Sequence, residues 1–404
     1  MPVQPGCKSL TRYRDESRVT GKRPGHQFRQ HRAASAIDSR GKRDMTTIYE
    51  VAKLAGVSQA TVSRVMNDPG KVSEKTRKKV QVAIEQLDYR PNTIAQSLAS
   101  NRSNCVGVLV SELHGPIFGT MVSSIEEEMR RAGKFTIFTA GHSDAATERQ
   151  GIEFLTGRKC DALILHVEAL QNEFFAERKN KLLPFVLLNR FTPGLEENCI
   201  SLNNELGGYQ ATRMLLDMGH SQIAYISGPL AWSDAKSRLI GHQRALAEVR
   251  IDFEDDLLVE SDYHVSGGVR AMQRLLELGR PITAVVCAND EMAAGAMEVI
   301  RNSGRSIPDD ISVVGFDNAR WSKFLYPKLT TVDYPVAEMS RMAARWVLKN
   351  VYKVPQLDLQ YVFHPRLISR DSVAAPADGQ KLFPAPVAAS ENTGTGSKAS
   401  GGQT

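Results

Sequence analysis

Side chains suited to reading DNA bases lie close together in residues 58–64. Gln59 and Arg64 are of the types that pair bidentately with adenine and guanine edges in the major groove. In a helix they would share an outward face with Ala60 and Ser63. Any solvated helix also carries Gln and Arg, so only the set as a whole favours DNA binding. Small hydroxyls that suit phosphate contacts accompany this set: Thr47, Ser58 and Thr61.

Polar side chains also follow three apolar runs in the later part of the chain. They are Asn189 and Arg190 after Phe185–Leu188, Asn289 and Asp290 after Ala284–Ala288, and Asp317 and Asn318 after Ile311–Phe316. Amide, carboxylate and guanidinium groups can satisfy the hydroxyls of a polyhydroxylated ligand. Asx turns and helix caps after strands are equally common, and Asn289-Asp290 could simply cap the next helix. The residues alone leave both interpretations open.

Apolar periodicity predicts the helices that would position the first set. One face repeats at i, i+3, i+4 and i+7, and its residues are Ile48, Val51, Ala52 and Ala55. Gly56 suits a left-handed cap after this helix, and Ser58 can cap a second helix. Two short helices joined by a tight turn containing Gly predict a helix-turn-helix. Ser73 would cap a third helix, whose inward residues we expect to be Val80, Ile84 and Leu87.

From residue 105 onward, short β-rich runs alternate with helical stretches. The predicted strands are Val106–Val110, Phe135–Thr139, Ala162–Leu165, Phe185–Leu188, Ile223–Ser227, Ala284–Ala288 and Ile311–Phe316. This alternation predicts an α/β fold with parallel sheets and helices on both faces. About 270 residues is large for one such sheet, so two lobes with a cleft are expected. Ligands of such folds bind beyond the carboxyl ends of the strands.

Charge is distributed unevenly along the 404 residues. Residues 1–44 carry a net charge of +7 and residues 45–104 one of +4, while the remainder carries −5. Basic residues 1–104 ahead of acidic residues 105–404 favour a polyanionic partner for the N-terminal part, although a solvated basic surface has the same composition. Residues 1–44 lack periodicity and predict a disordered basic extension, with Met45 as the expected true start. Residues 375–404, rich in Ala, Gly and Ser, predict a disordered tail.

Several classes of function are disfavoured. The five cysteines are odd in number and form no C-x-x-C, so we do not expect disulfide or metal roles. This cysteine usage favours the reducing environment of the cytoplasm. Apolar stretches are only a few residues long, whereas a membrane-spanning helix needs about 20. No G-x-G-x-x-G follows a strand, and the P-loop-like Gly394–Lys398 falls in the predicted tail. We expect no enzyme, metal or cofactor; a sugar- or nucleotide-processing α/β enzyme is the distant alternative.

Two runs, Thr47–Asn67 and Tyr89–Ala99, resemble the signature of the lactose-repressor-type bacterial transcription regulators. The resemblance continues from about residue 46 to 375. It implies a helix-turn-helix DNA-binding domain at 46–90, a hinge helix and linker at 91–103, and a two-lobed periplasmic-binding-protein-like effector and dimerisation domain at 104–374. It further implies a homodimer that binds double-stranded operator DNA and a small-molecule effector.

The resemblance implies roles for individual DNA-binding positions. Gln59, Ala60 and Arg64 match the base-reading positions, and Leu98 matches a leucine that wedges into the minor groove. A buried linker residue is the alternative for Leu98. The other implied contacts are Thr47, Ser58, Thr61, Ser63, Asn67, Asn92 and Ala95.

For the effector, Arg238, Asn289 and Asp317 match contacting positions of the family. Phe118 lies where the first strand turns into its helix, and its ring could stack on a sugar. Weaker or position-based candidates complete the set: Asn189, Trp232 and Asp234.

Within the family the likeness is greatest to the galactose-type repressors, in Val186–Gly194, Ala211–His220 and Leu329–Pro335. This favours a repressor of sugar-utilisation genes that releases a palindromic operator when sugar binds. Gln59 departs from the small apolar residue of that type, which leaves the operator sequence open. No motif encodes the sign of coupling, so a regulator that needs a corepressor, such as a purine, is the alternative. Leucine heptads are absent from 376–404, which favours a dimer over a tetramer.

Overall fold

A computed structural model of the chain describes residues 46–67, 69–90 and 102–377, without the side chains of 67 and 69. The chain divides into two compact units after residue 91. The predicted basic extension, the expected true start at Met45 and most of the predicted tail lie outside the described residues. So do the hinge positions Asn92, Ala95 and Leu98.

The first unit consists of three helices, α1 (Ile48–Ala55), α2 (Gln59–Asn67) and α3 (Glu74–Gln86), with a 3₁₀ turn at Pro69–Lys71. Gly56 ends α1 with a left-handed φ of 65°. The Ser58 hydroxyl accepts the Thr61 N–H at 3.2 Å, and Ser73 accepts the Thr76 N–H at 3.4 Å. Both caps and the helix-turn-helix are therefore confirmed.

The small core of this unit lies where the three helices meet. Val51, Val62 and Val80 are each fully buried, one from each helix. The predicted inward face of α3 is confirmed. Val80 is buried together with Ala83, and the half-buried Ile84 and Leu87 pack against the same core.

The second unit contains two six-stranded sheets, with elements numbered along the described chain. The first sheet has the parallel order β11-β5-β4-β3-β1-β2. Its strands are β1 (Cys105–Val110), β2 (Phe135–Ala140), β3 (Ala162–Leu165), β4 (Phe185–Leu188), β5 (Cys199–Leu202) and β11 (Val362–Phe363). The helices of this first lobe are α4 (Pro116–Arg131), α5 (Ala145–Gly157), α6 (Asn172–Arg178) and α11 (Val336–Asn350).

The second sheet has the order β12-β10-β9-β8-β6-β7, with β12 antiparallel to β10. Its strands are β6 (Ile223–Ser227), β7 (Leu258–Glu260), β8 (Ala284–Cys287), β9 (Ser312–Asp317), β10 (Thr330–Asp333) and β12 (Arg366–Ile368). The helices of this second lobe are α7 (Asn204–Asp217), α8 (Ser233–Glu248), α9 (Val265–Glu277) and α10 (Asp290–Asn302). The chain crosses between the lobes after β5, after β10 and after β11. None of the helices in the described ranges is both long and apolar enough to span a bilayer.

Two glycines bring α7 and α8 unusually close together. A Cβ at Gly208 would lie 1.9 Å from the carbonyl oxygen of Arg238, and one at Gly241 would lie 2.0 Å from that of Glu205. Only residues without a side chain permit this backbone approach. The contact fixes the position of α8, which carries Arg238.

The predicted β/α alternation and the two lobes are confirmed, with differences at strand ends. Ile311–Phe316 is shifted to Ser312–Asp317, so Asp317 is the last strand residue, because its backbone pairs with Asp333 on β10. Five of the shorter strands were not predicted: β5, β7, β10, β11 and β12. Such short segments show no alternation of their own and become strands only through the partner they pair with.

Candidate functional site

The outward face of α2 carries the predicted base-reading side chains. Gln59, Ala60 and Arg64 are exposed, whereas Val62 and Val65 on the opposite face are buried. This division follows from helical periodicity and leaves polar groups free to enter a groove. The structure therefore exposes these three residues on the outward face of α2, and their base-reading role stays a prediction.

The predicted phosphate-contacting hydroxyls have partners within the unit. The Ser58 and Thr61 hydroxyls lie 2.9 Å apart, and the Thr47 hydroxyl donates to Glu50 at 3.1 Å. Glu50 also accepts the Thr47 N–H at 2.7 Å, and this bond lowers the pKa of the Glu50 carboxyl. Ser63 is half-buried, and the side chain of Asn67 is not described.

In the second unit, a cleft opens between the two lobes, with an empty volume of about 880 Å³ including the part open to solvent. Its lining residues lie mostly at or just after the carboxyl ends of strands from both sheets. All seven predicted effector positions line it: Phe118, Asn189, Trp232, Asp234, Arg238, Asn289 and Asp317. The described residues contain no cluster of three or more side chains that could hold a metal ion.

Hydrogen bonds, an ion pair and an aromatic ring hold the Arg238 side chain in the cleft. Its guanidinium donates from Nε to Asn204 Oδ1 at 2.9 Å and from Nη1 to the Ala288 carbonyl at 2.5 Å. It also lies 3.5 Å from Asp234 and 3.7 Å above the centre of the Phe316 ring. Only 3% of the residue is exposed, so these contacts orient a single buried cation toward the cleft.

Asp234 and two aromatic rings form the wall beside Arg238. The Tyr263 hydroxyl donates to Asp234 at 3.1 Å, and the rings of Tyr263 and Trp232 stack with centroids 5.8 Å apart. Stacked aromatic faces of this kind suit the apolar face of a sugar ring. Trp232 and Asp234, the weaker candidates by sequence, thus belong to one wall.

Asn289 serves as both a helix cap and a lining residue. Its Oδ1 accepts the Met292 N–H at 2.9 Å, and its Nδ2 donates to the Tyr263 carbonyl at 2.7 Å. Asp317 ends β9 with a φ of 117°, and burial raises the pKa of its carboxyl well above the usual range. The helix-cap interpretation of Asn289 is therefore confirmed, and its side chain also lines the cleft, where effector binding stays a prediction.

On the first lobe, Asn189 and Phe118 approach the cleft from β4 and α4. Asn189 follows β4 in a left-handed conformation, and its Oδ1 accepts the Asn204 Nδ2 at 3.3 Å. The Phe118 ring meets the His166 ring edge-on, with centroids 5.4 Å apart. Arg190 is not part of the cleft lining, and its Nε donates to Asn172 Oδ1 at 2.9 Å.

Several lining residues were missed: Glu112, His114, His166, Glu168, Tyr263, His264, Glu291 and Tyr334. His166 and Glu168 follow the correctly predicted strand β3, so the strand-end rule could have found them. Glu148 holds their loop from behind, since its carboxylate accepts the N–H groups of residues 168–170 at 2.8–3.1 Å. Tyr263 and Tyr334 follow β7 and β10, which were not predicted.

Ser111, His166 and Glu168 are joined in series, as a hydrolytic triad would be. Ser111 Oγ lies 3.2 Å from His166 Nδ1, and His166 Nε2 lies 3.5 Å from Glu168. Burial lowers the pKa of His166 to about 4 and raises the pKa of Glu168 well above its usual range. A general base needs an imidazole near pH 7 supported by an ionised acid, so these shifts oppose catalysis.

Comparison with known proteins agrees with both units. Residues 47–92 match the model of bacterial regulatory proteins of the lacI family, and residues 212–373 match a periplasmic binding protein-like domain. The chain is 41% identical over 333 residues to the HTH-type transcriptional regulator GalR of Escherichia coli (strain K12), covering 82% of this chain and 97% of that protein.

Solved structures show the same similarity. The lac repressor dimer bound to operator and the anti-inducer ONPF superposes with a TM-score of 0.73 at 29% identity, covering 82% of this chain and all of that one. A complex of the transcriptional regulator CelR with cellobiose gives 0.60 at 30% identity, covering 81% and 99%. With its exposed reading helix and its two-lobed cleft, the chain belongs to the lacI family of bacterial regulatory proteins and is a DNA-binding transcriptional regulator rather than an enzyme.

Proposed function

We propose that the protein is a repressor of sugar-utilisation genes that releases its operator when a sugar, of galactose type, occupies the cleft. The observation that carries this proposal is the convergence of seven side chains, predicted from separate parts of the sequence, on one cleft between the lobes. A buried guanidinium, carboxyls and amides there provide donors and acceptors for hydroxyl groups.

Stacked aromatic rings add a surface for the sugar ring itself. Trp232 and Tyr263 present stacked rings inclined by 27° from the second lobe, and Phe118 approaches from the first. The structural relative solved in complex with cellobiose supports a carbohydrate ligand for this cleft type. No separate cofactor is part of the proposal.

We infer that α2 enters the major groove of double-stranded operator DNA, with Gln59, Ala60 and Arg64 at the base edges. Thr47, Ser58, Thr61, Ser63 and Asn67 are proposed as further contacts around it, and Asn92, Ala95 and Leu98 as hinge contacts. The protein acts where its operator is, in the cytoplasm.

A homodimer is the proposed binding form. The loop after β9 exposes two aromatic side chains, Phe324 at 78% and Tyr326 at 90%. Exposed aromatics of this extent are typical of interfaces. The operator-bound lac repressor is itself a dimer. A twofold dimer requires a matching near-palindrome in the DNA.

The start of the effector unit provides a route for coupling. Asp161 accepts the N–H groups of Ser103 and Asn104, each at 2.8 Å, and the Tyr352 hydroxyl at 2.9 Å. Arg102 donates to the Val351 carbonyl at 2.9 Å. The residues that follow the hinge are thus tied to the first lobe and to the segment after α11. Movement of that lobe on closure would be transmitted to the hinge.

The test is fluorescence anisotropy of a labelled upstream DNA fragment at fixed salt, with and without D-galactose. Sugar-dependent release supports induction, whereas DNA binding that requires an added purine supports the corepressor alternative. Asp317→Ala should abolish the sugar response and leave operator affinity near that of the wild type. An Asp317→Ala variant that responds normally would remove Asp317 from the effector site.

A further inference from the structure

Two carboxyl groups with side chains less than a tenth exposed face the cleft with no hydrogen-bond donor among the described residues. Glu168 belongs to the first lobe, and its side chain is 8% exposed; its carboxyl lies 3.5 Å from His166 Nε2. Asp317 belongs to the second lobe and is 9% exposed. Buried carboxyls without donors are costly, so a ligand that supplies donors is favoured at both places.

The other buried carboxyls nearby are satisfied by the protein. Glu148 accepts three backbone N–H groups. Asp234 accepts from Tyr263 and lies against Arg238. Asp290 accepts from Thr331 at 2.5 Å and from the Ala319 N–H at 2.8 Å. The absence of donors is therefore a property of the two cleft-facing groups and not of buried acids in this fold.

Acidic side chains outnumber basic ones around the cleft interior. The carboxyls of Glu148, Glu168, Asp234 and Asp317 are accompanied by two buried guanidinium groups, Arg190 and Arg238. Arg190 already binds Asn172 and the Val167 carbonyl, and Arg238 already binds Asn204 and the Ala288 carbonyl. Burial raises the pKa of Glu168, with Asp234 and Glu148 adding to the rise and the two arginines opposing it.

The mouth of the cleft does not reverse this balance. Glu112 lies 3.3 Å from His114 and 3.9 Å from His264, and Asp262 pairs with Arg270 at 2.6 Å. Glu291 is half-buried, and burial raises its pKa. A cationic group bound in the cleft would oppose the effect of burial and favour the charged form of these carboxyls, whereas an anionic group would not.

From these contacts we propose that the effector is an amino sugar and that Glu168 selects it by accepting its ammonium group. The inference rests on the sugar-responsive function proposed above. An ammonium group supplies three hydrogen-bond donors and one positive charge, and no such partner contacts the Glu168 carboxyl in the protein alone. Sugar hydroxyls would then form hydrogen bonds with Asp317 and with the Tyr334 hydroxyl, which is buried without a partner. Such a ligand bridges the two lobes through the groups that the protein leaves unsatisfied.

The experiment is isothermal titration of the full chain with sugars matched in stereochemistry and different in charge: D-galactosamine, D-galactose and D-galacturonate, with D-glucosamine and D-glucose as a second pair. We expect one amino sugar to bind at least about tenfold more tightly than its neutral partner, and galacturonate not to bind. Glu168→Gln keeps the shape and removes the charge, so the preference should disappear.

The matched control is Glu173→Gln, which removes the same charge from an exposed position on α6 and should leave the preference intact. Equal or tighter binding of the neutral sugar would overturn the amino-sugar inference while the sugar-responsive function stands. Loss of the preference in both variants would overturn the role of Glu168. If no member of either pair binds, the sugar effector itself is wrong.

Discussion

Replacing Gly208 with Ala tests how the close contact between α7 and α8 positions the effector site. The added Cβ would lie 1.9 Å from the Arg238 carbonyl oxygen, and separations below 3.0 Å are essentially never seen. The helices must therefore separate by about 1 Å or more. The 2.9 Å bond from Arg238 to Asn204 spans these two helices, so it would lengthen to roughly 4 Å and be lost.

The expected cost combines overpacking, about 1–3 kcal/mol, with a lost charge-assisted hydrogen bond of about 1.5–3 kcal/mol. The midpoint of thermal unfolding of the effector unit should fall on the order of 10 °C. Effector affinity should fall at least about tenfold, since Arg238 no longer faces the cleft in its bonded position. Differential scanning calorimetry and titration calorimetry measure the two effects.

Gly157→Ala is the control, because Gly157 lies in α5 with nothing within 4 Å of an added Cβ. The free energy of unfolding of Gly157→Ala should rise by less than about 1 kcal/mol. If Gly208→Ala unfolds at the wild-type temperature and binds effector normally, the helices can adjust freely, and the proposed link between this contact and Arg238 is refuted.

Three further predictions follow from other parts of the molecule. Arg64→Ala should weaken operator binding by about 1–3 kcal/mol and relax preference at one base pair, measured by anisotropy on base-substituted operators; uniform weakening on all DNA would exclude direct readout. Tyr326→Asp should shift the protein toward monomer in sedimentation velocity, because it places a charge on the exposed aromatic loop, and an unchanged dimer would locate the interface elsewhere. Burial lowers the pKa of His242 to about 3, so below pH about 6.5 the unfolded chain binds a proton that the folded chain does not. The stabilising contribution of neutral His242 is therefore present above pH 6.5 and is lost by up to about 1.4 kcal/mol per pH unit as the pH falls. In urea unfolding, the free energy of unfolding of His242→Asn should fall less between pH 7 and 4.5 than that of the wild type.

Much of the site was predictable because it depends on local rules. Asn189 and Asn289 were found from their places after apolar runs, and the outward face of α2 from helical periodicity. Glu148 could not be found in this way, since its role depends on a loop that lies 20–22 residues further along the chain. The partnerless state of Glu168 is equally invisible in sequence, because it is set by which donors the folded lobes fail to bring near it.

The crossing of the chain between the lobes has a consequence for synthesis. The first lobe begins at β1 but acquires α11 and β11 only from residues 336–363. Nearly the whole effector unit must therefore leave the ribosome before the first lobe can close its core. A nascent chain, or one that terminates before residue 336, would expose the apolar faces that α11 covers and would be a target for chaperones and proteases. Sugar sensing thus begins only with a finished polypeptide.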